Sequence, residues 1–291
     1  MNIIKTGVIG SGTMGTGIAQ RFAMHGYIVV LVDTHPDILA AAERSIQRSL
    51  DKFVDKGTLT PEDKLDALAK IHRTTALKNV ADCDLVIEAI PENLELKKDL
   101  FSELDGLCEP EALLASNTSS IAISRLALST RRPERVLGLH FMNPAPVINF
   151  VELVRGVETS DEVAERGRGF AESLACEVVE SKDSPGFIIN RVLMPLINEA
   201  IYALEAGVAP AEKIDRALVA GTRQAVGPLA LADRIGLDVV LSILNTLHRE
   251  LAGERFRPCG LLVEYVRQGR LGRKTGRGFY AYEKAAAEKP V

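Results

Sequence analysis

The chain predicts an α/β fold: a doubly wound sheet followed by a smaller all-α domain. Short β runs alternate with amphipathic helical stretches through the first part of the sequence. Past about residue 184 that alternation stops and helical periodicity takes over. A third observation is local: Gly10-x-Gly12-x-x-Gly15 lies between a β run and a helical run.

IIKTGVIG and YIVVLVD read as strands around a helix at about residues 13–25. CDLVIEAI, ALLASNT and RVLGLHF are continuously apolar or β-branched, as strands of a buried parallel sheet should be. INFVELV and CEVVES supply two more, separated by a helix that starts near Ser160-Asp161. Beyond SKDSPGFIINR, helical periodicity covers 187–206, 211–220, 229–251 and 260–268, and the next strand pattern is the final GFYAY. Pro185-Gly186 therefore marks the expected boundary between residues 1–184 and 185–291.

The glycines carry chemistry in this context. Gly10 permits a tight turn, Gly12 lets a pyrophosphate approach the backbone, and Gly15 allows close helix–strand packing. A diphosphate on the following helix N-terminus would meet free N–H groups and a favourable dipole. Asp33, eighteen residues beyond Gly15 at the end of the second strand, can accept ribose hydroxyls and would repel a 2′-phosphate. A Rossmann-type domain binding NAD rather than NADP is expected, with His35 a possible moderator of that preference.

The helix after Asp33 ends at Gly57, a good residue for the position after a helix, and Thr60-Pro61-Glu62-Asp63 looks like the start of another. Arg44, Arg48, Lys52 and Lys56 recur every fourth residue on one face, with Ser49 alongside. Taken alone, such a stripe is more often a solvated face than a polyphosphate handle.

Composition excludes other classes. The 39 acidic residues outnumber 35 basic ones, which disfavours nucleic acid. No apolar run reaches the roughly 18 residues that span a bilayer. Cys83, Cys108, Cys176 and Cys259 are scattered without metal-ligand spacing. They read as reduced thiols, and with no signal peptide visible in MNIIKTGVIG a cytoplasmic location is expected. No metal is expected.

The glycine fingerprint, IEAIPENLELKKDLF, SNTSS, GLHFMNPAPVINFVEL, KDSPGFIINR and RKTGRGFYAY follow one another over residues 3–282. In that order they resemble the L-3-hydroxyacyl-CoA dehydrogenases, closest to the stand-alone bacterial 3-hydroxybutyryl-CoA dehydrogenases. The resemblance implies that His140 is the catalytic histidine and Glu152 its carboxylate partner. It puts Ser119 and Asn190 around the reacting substrate. It implies NAD contacts for Asp33, Glu92, Lys97, Asn143 and Lys274, and coenzyme A contacts for Ser49 and Lys56, which would give the basic stripe a purpose. It also implies an acyl-CoA thioester substrate and a homodimer formed through residues 186–291, whose helices are rich in apolar surface. Asn149 departs from the pattern, standing where many relatives carry lysine, and is expected to alter surface or interface charge.

On its own, a histidine ending the apolar run GLHF is more often packed than catalytic. Oxidising a secondary alcohol, however, requires a base for the hydroxyl proton, and a side chain titrating near neutrality serves best. Glu152 would fix the ring's tautomer and stabilise its charged form. Two rival readings are a dehydrogenase of a free hydroxy or sugar acid, and a non-catalytic, crystallin-like cofactor-binding protein.

Overall fold

The computed structural model describes residues 5–282, which divide into two compact units at Phe187/Ile188. The first unit holds eight strands: β1 (Lys5–Ile9), β2 (Ile28–Val32), β3 (Ile71–Thr74), β4 (Leu85–Glu88), β5 (Leu113–Ser116), β6 (Val136–Phe141), β7 (Phe150–Arg155) and β8 (Glu177–Lys182). They form one sheet in the order β3-β2-β1-β4-β5-β6-β7-β8. Every neighbouring pair is parallel except β6 and β7. The order reverses between β2 and β4 on either side of β1, which makes the C-terminal end of β1 a topological switch point.

Helices cover both faces. On one side α1 (Thr13–Met24), α2 (Pro36–Asp55) and α6 (Asp161–Ser173) close a core around Ile18, Phe22, Ile46, Leu50 and Phe170. On the other, α4 (Leu94–Leu107) and α5 (Ile123–Ala127) bury Phe101, Leu104, Ile123 and Leu126. The stretch Pro61–Ala69 forms α3, whose start is the expected cap: Thr60 accepts from the Asp63 amide, and Asp63 accepts from the Thr60 amide. Ser160 likewise caps α6, accepting from Val163.

Two details of this unit were not in the sequence reading. β3 is an edge strand with half-exposed residues, and its sequence IHRT lacks the apolar run that marks the others. β7 turns back antiparallel, so the sheet is not uniformly parallel.

The second unit is helical: α7 (Ile189–Glu205), α8 (Ala211–Thr222), α9 (Pro228–Ile235), α10 (Leu237–Leu251) and α11 (Gly260–Arg267), around Met194, Ile201, Leu229, Val240 and Leu244. The continuous helix expected over 229–251 is broken at Gly236, whose φ of +103° an L-residue with a side chain rarely adopts. GFYAY is not a strand either; it makes only isolated bridges, Arg277 pairing with Gly272 and Ala281. What fixes it is Asp233, which accepts from the amides of Phe279 and Tyr280 and from the Tyr282 hydroxyl.

Candidate active site

The parallel strands deliver their C-terminal ends to one edge of the sheet, where Ile9 pairs with Val32 and Glu88, and Glu88 pairs with Ser116. Most of the expected site residues come from this edge.

In the first turn Gly10 has φ +95°, and a Cβ there would lie 2.6 Å from the Ala89 carbonyl oxygen. A Cβ on Gly15 would fall 1.7 Å from the Gly10 carbonyl oxygen, so α1 can pack against β1 only with glycine at that position. Gly12 differs: its Cβ would meet nothing within 4 Å, so protein packing does not demand glycine there. Gly12 is also the N-cap of α1, with no side chain capping the helix. An uncapped helix start beside an open glycine fits a diphosphate.

Asp33 is tied into the same turn. Its Oδ2 accepts from the Ser11 amide at 2.7 Å and the Ser11 hydroxyl at 2.9 Å, whereas Oδ1 has only long contacts to Thr34 (3.5 Å) and the His35 amide (3.4 Å). Partial burial raises the carboxyl's pKa, but the Ser11 bonds, helped by the His35 and Thr34 amides, outweigh it and hold the group below the usual range. The charge is therefore kept, with one oxygen oriented by the turn and the other left with only long contacts.

Between β4 and β5 lies a polar cluster that is buried at Glu88, Lys97, Ser116 and Thr118 and reaches the surface at Glu92. Lys97 pairs with Glu88 at 2.5 Å and Glu92 at 3.2 Å. Glu92 Oε1 gathers the Thr118 hydroxyl (2.5 Å), the Ser119 amide (3.3 Å), and the Ser120 amide (3.1 Å) and hydroxyl (2.8 Å). Burial pushes Glu92 up, yet Lys97 and these donors bring it below the usual carboxylate range. For Glu88 burial prevails over the same ammonium and the Ser116 hydroxyl, and its pKa is raised.

His140 and Glu152 stand directly opposite each other in the antiparallel β6–β7 ladder, which puts both side chains on one face. Nδ1 of His140 lies 2.7 Å from Glu152 Oε2, both residues are buried, and the ring meets Phe187 edge-on at 5.7 Å. The Asn117 side chain accepts from the Phe141 amide at 2.9 Å, which pins the strand beside the histidine. Asn143 follows in an exposed position, joined to Pro144 by a cis peptide bond.

The remaining residues lie elsewhere. Ser49 is half-buried on α2 and Lys56 is exposed at its C-terminal cap. Neither side chain makes a hydrogen bond among the described residues. The opposite face of α2 buries Leu39, Ala42, Ile46 and Leu50, leaving Arg44, Arg48, Lys52 and Lys56 exposed. Asn190 and Lys274 belong to the helical unit. Asn190 is buried, in the first turn of α7 rather than at its cap, which is Ile188; Lys274 pairs with Asp238 at 2.6 Å.

Sequence reasoning passed over three buried or half-buried partners. Glu88 was legible as a lone charge ending an apolar strand. Asn117 lay inside the quoted SNTSS. Arg21, buried in α1, donates to the carbonyls of Ala145, Ile148 and Leu174 and to the Asn149 side chain at 2.9 Å. Asn149 is therefore more than a change of surface charge: it accepts from a buried guanidinium, which a lysine could not do.

A sheet of this order, with its first turn shaped for a diphosphate and a carboxylate ending the second strand, is the frame of an NAD-dependent dehydrogenase. Residues 5–184 match the 3-hydroxyacyl-CoA dehydrogenase NAD binding domain, and residues 186–282 match the 3-hydroxyacyl-CoA dehydrogenase C-terminal domain. The chain belongs to the 3-hydroxyacyl-CoA dehydrogenase family. A Bradyrhizobium diazoefficiens protein named 3-hydroxybutyryl-CoA dehydrogenase is 50% identical over 289 residues, covering 99% of this chain and 98% of its own. One from Bacillus subtilis, named probable 3-hydroxybutyryl-CoA dehydrogenase, is 45% identical and covers 97% of this chain and 99% of its own. The crystal structure of (S)-3-hydroxybutyryl-CoA dehydrogenase from Ralstonia eutropha is similar with TM-score 0.93 at 43% identity, covering 97% of this chain and 100% of that one.

Proposed function

We propose that this dehydrogenase interconverts (S)-3-hydroxyacyl-CoA and 3-ketoacyl-CoA of short chain, 3-hydroxybutyryl-CoA and acetoacetyl-CoA above all, with His140 and Glu152 as its acid/base pair. The observation that carries the reading is the buried 2.7 Å contact between His140 Nδ1 and Glu152. Bound NAD supplies the hydride acceptor, and NADH the donor. The neutral imidazole takes the hydroxyl proton in oxidation and the imidazolium returns it in ketone reduction. Glu152 holds the ring's orientation and offsets its charge.

Residues 1–184 serve as the NAD domain, where Gly10, Gly12 and Gly15 cradle the diphosphate, Asp33 the ribose, and Glu92, Lys97 and Asn143 the rest of the cofactor. Residues 185–291 serve substrate binding and homodimer formation and add Asn190 and Lys274. Ser119 and Asn190 hold the reacting group, and Ser49 and Lys56 hold coenzyme A. The names of the relatives support the short acyl chain. The buried thiols fit a reducing, cytoplasmic-type compartment: burial pushes Cys83 up to about 12 and Cys108 and Cys259 to about 11, which leaves them unreactive.

The test is steady-state reduction of C4 to C16 3-ketoacyl-CoA thioesters with NADH and NADPH. Highest kcat/KM is expected for acetoacetyl-CoA with NADH. Equal turnover of the free keto acid would favour the rival free-acid reading, and no turnover of any thioester would favour a non-catalytic one.

A further inference from the structure

β4 is three apolar residues followed by Glu88, whose carboxylate is fully buried and held on both oxygens. Oε1 accepts from the Lys97 ammonium at 2.5 Å and the Ile90 amide at 2.7 Å, and Oε2 accepts from the Ser116 hydroxyl at 2.6 Å. Two routes lead from Glu88 to the turn that follows β5. Through Lys97 the first reaches Glu92, which gathers Thr118, Ser119 and Ser120. Through Ser116 the second reaches the Thr118 amide, which donates to the same hydroxyl oxygen at 3.1 Å.

Removing a carboxylate and an ammonium from water is costly, and a buried ion pair is commonly no more stabilising than an apolar pair of the same volume. Stability alone therefore gives no reason for charge here. Geometry does: an apolar pair at 88 and 97 would fill the space but leave Glu92 without the cation that fixes its direction. We propose that Glu88 is a positioning residue that sets the Thr118–Ser120 turn, and through it Ser119, for the acyl-CoA substrate. The role toward substrate rests on the reading of Ser119 given above; the holding of the turn does not.

The experiment uses the full-length chain. Hydrogen exchange of the segment 117–122 is measured by mass spectrometry without cofactor, in wild type, Glu88→Gln and Ser116→Ala. Glutamine keeps the volume and removes the charge, while Ser116→Ala breaks the second route and keeps every charge. Exchange at Thr118–Ser120 is expected to rise about tenfold in Glu88→Gln, the loss of roughly one hydrogen bond's worth of restraint, with the central strands unchanged. A smaller rise at the same amides is expected for Ser116→Ala. In turnover of acetoacetyl-CoA, kcat of Glu88→Gln should fall about tenfold or more, because small misplacements of a positioning group are expensive. KM for NADH should change less than kcat.

Unchanged exchange at 118–120 overturns the proposal. So does a rise spread evenly over the sheet with a lower Tm, which marks a merely structural role. If Glu88→Gln does not fold, Ser116→Ala decides alone, and wild-type exchange and kcat in that variant reject the proposal. Failure of wild type to turn over any thioester would sink the proposed function, while the exchange measurement would still decide whether Glu88 holds the turn.

Discussion

With Nδ1 of His140 2.7 Å from a Glu152 oxygen, the lone pair of the neutral ring falls on Nε2, the nitrogen that the proposed mechanism uses for proton exchange. In the proposed mechanism ketone reduction consumes a proton and needs the imidazolium, so its rate should fall with rising pH. Alcohol oxidation would need the neutral ring and should rise over the same range. His140→Gln is expected to remove both limbs and lower kcat by about 10² to 10⁴. Glu152→Gln removes the carboxylate that holds the ring and is expected to lower kcat in both directions, with NADH affinity nearly unchanged. The measurement is kcat against pH in both directions, with NADH binding by fluorescence titration; a His140 variant with near-normal turnover and the same limb would assign the proton elsewhere. At the cofactor end, Asp33→Ala should weaken NADH more than NADPH and narrow the preference, since in the proposed role the side chain accepts from ribose and repels a 2′-phosphate. An unchanged ratio of the two affinities would count against that role.

Among the elements, α2 carries the sharpest prediction. Its apolar face is buried and its four cations face outward, so Lys56→Ala should leave stability almost untouched. KM for acetoacetyl-CoA should rise severalfold, while the N-acetylcysteamine thioester, which lacks the nucleotide handle, should be hardly affected. Equal losses on both substrates would place Lys56 in folding or cofactor binding. The same helix illustrates what could be read in advance. Fourfold spacing of cations opposite an apolar stripe is a one-dimensional pattern, as are Gly10, Gly12 and Gly15 and the Thr60 cap, and all were legible. β3, the break at Gly236 and the loss of GFYAY as a strand were not, because each depends on what the segment packs against. A half-exposed edge strand needs no apolar run, and GFYAY is held by Asp233, 46 residues before Phe279. Arg21 was illegible for the same reason: its carbonyl partners lie more than 120 residues away.

At the scale of the whole molecule, the helical unit leaves Ile188, Val192, Val208, Val219, Val239 and Val263 exposed. These side chains are candidates for the contact surface of the proposed homodimer. Light scattering at micromolar concentration is expected to give twice the 31.5 kDa chain mass. A monomer would reject the dimer, and a dimer unmoved by Val192→Glu would shift the contact away from α7.

The antiparallel turn between β6 and β7 also bears on how such a chain can change over evolutionary time. Because His140 and Glu152 face each other across one ladder, their meeting is encoded as a parity. A residue inserted or deleted within β7 before Glu152 would present Val151 or Leu153 to the histidine and send the carboxylate to the other face. The connecting segment 142–149 is held by a different device, since buried Arg21 binds the Ala145 and Ile148 carbonyls and the Asn149 side chain, so its length is tied to that anchor while the strand beyond it admits substitutions but no frame slip.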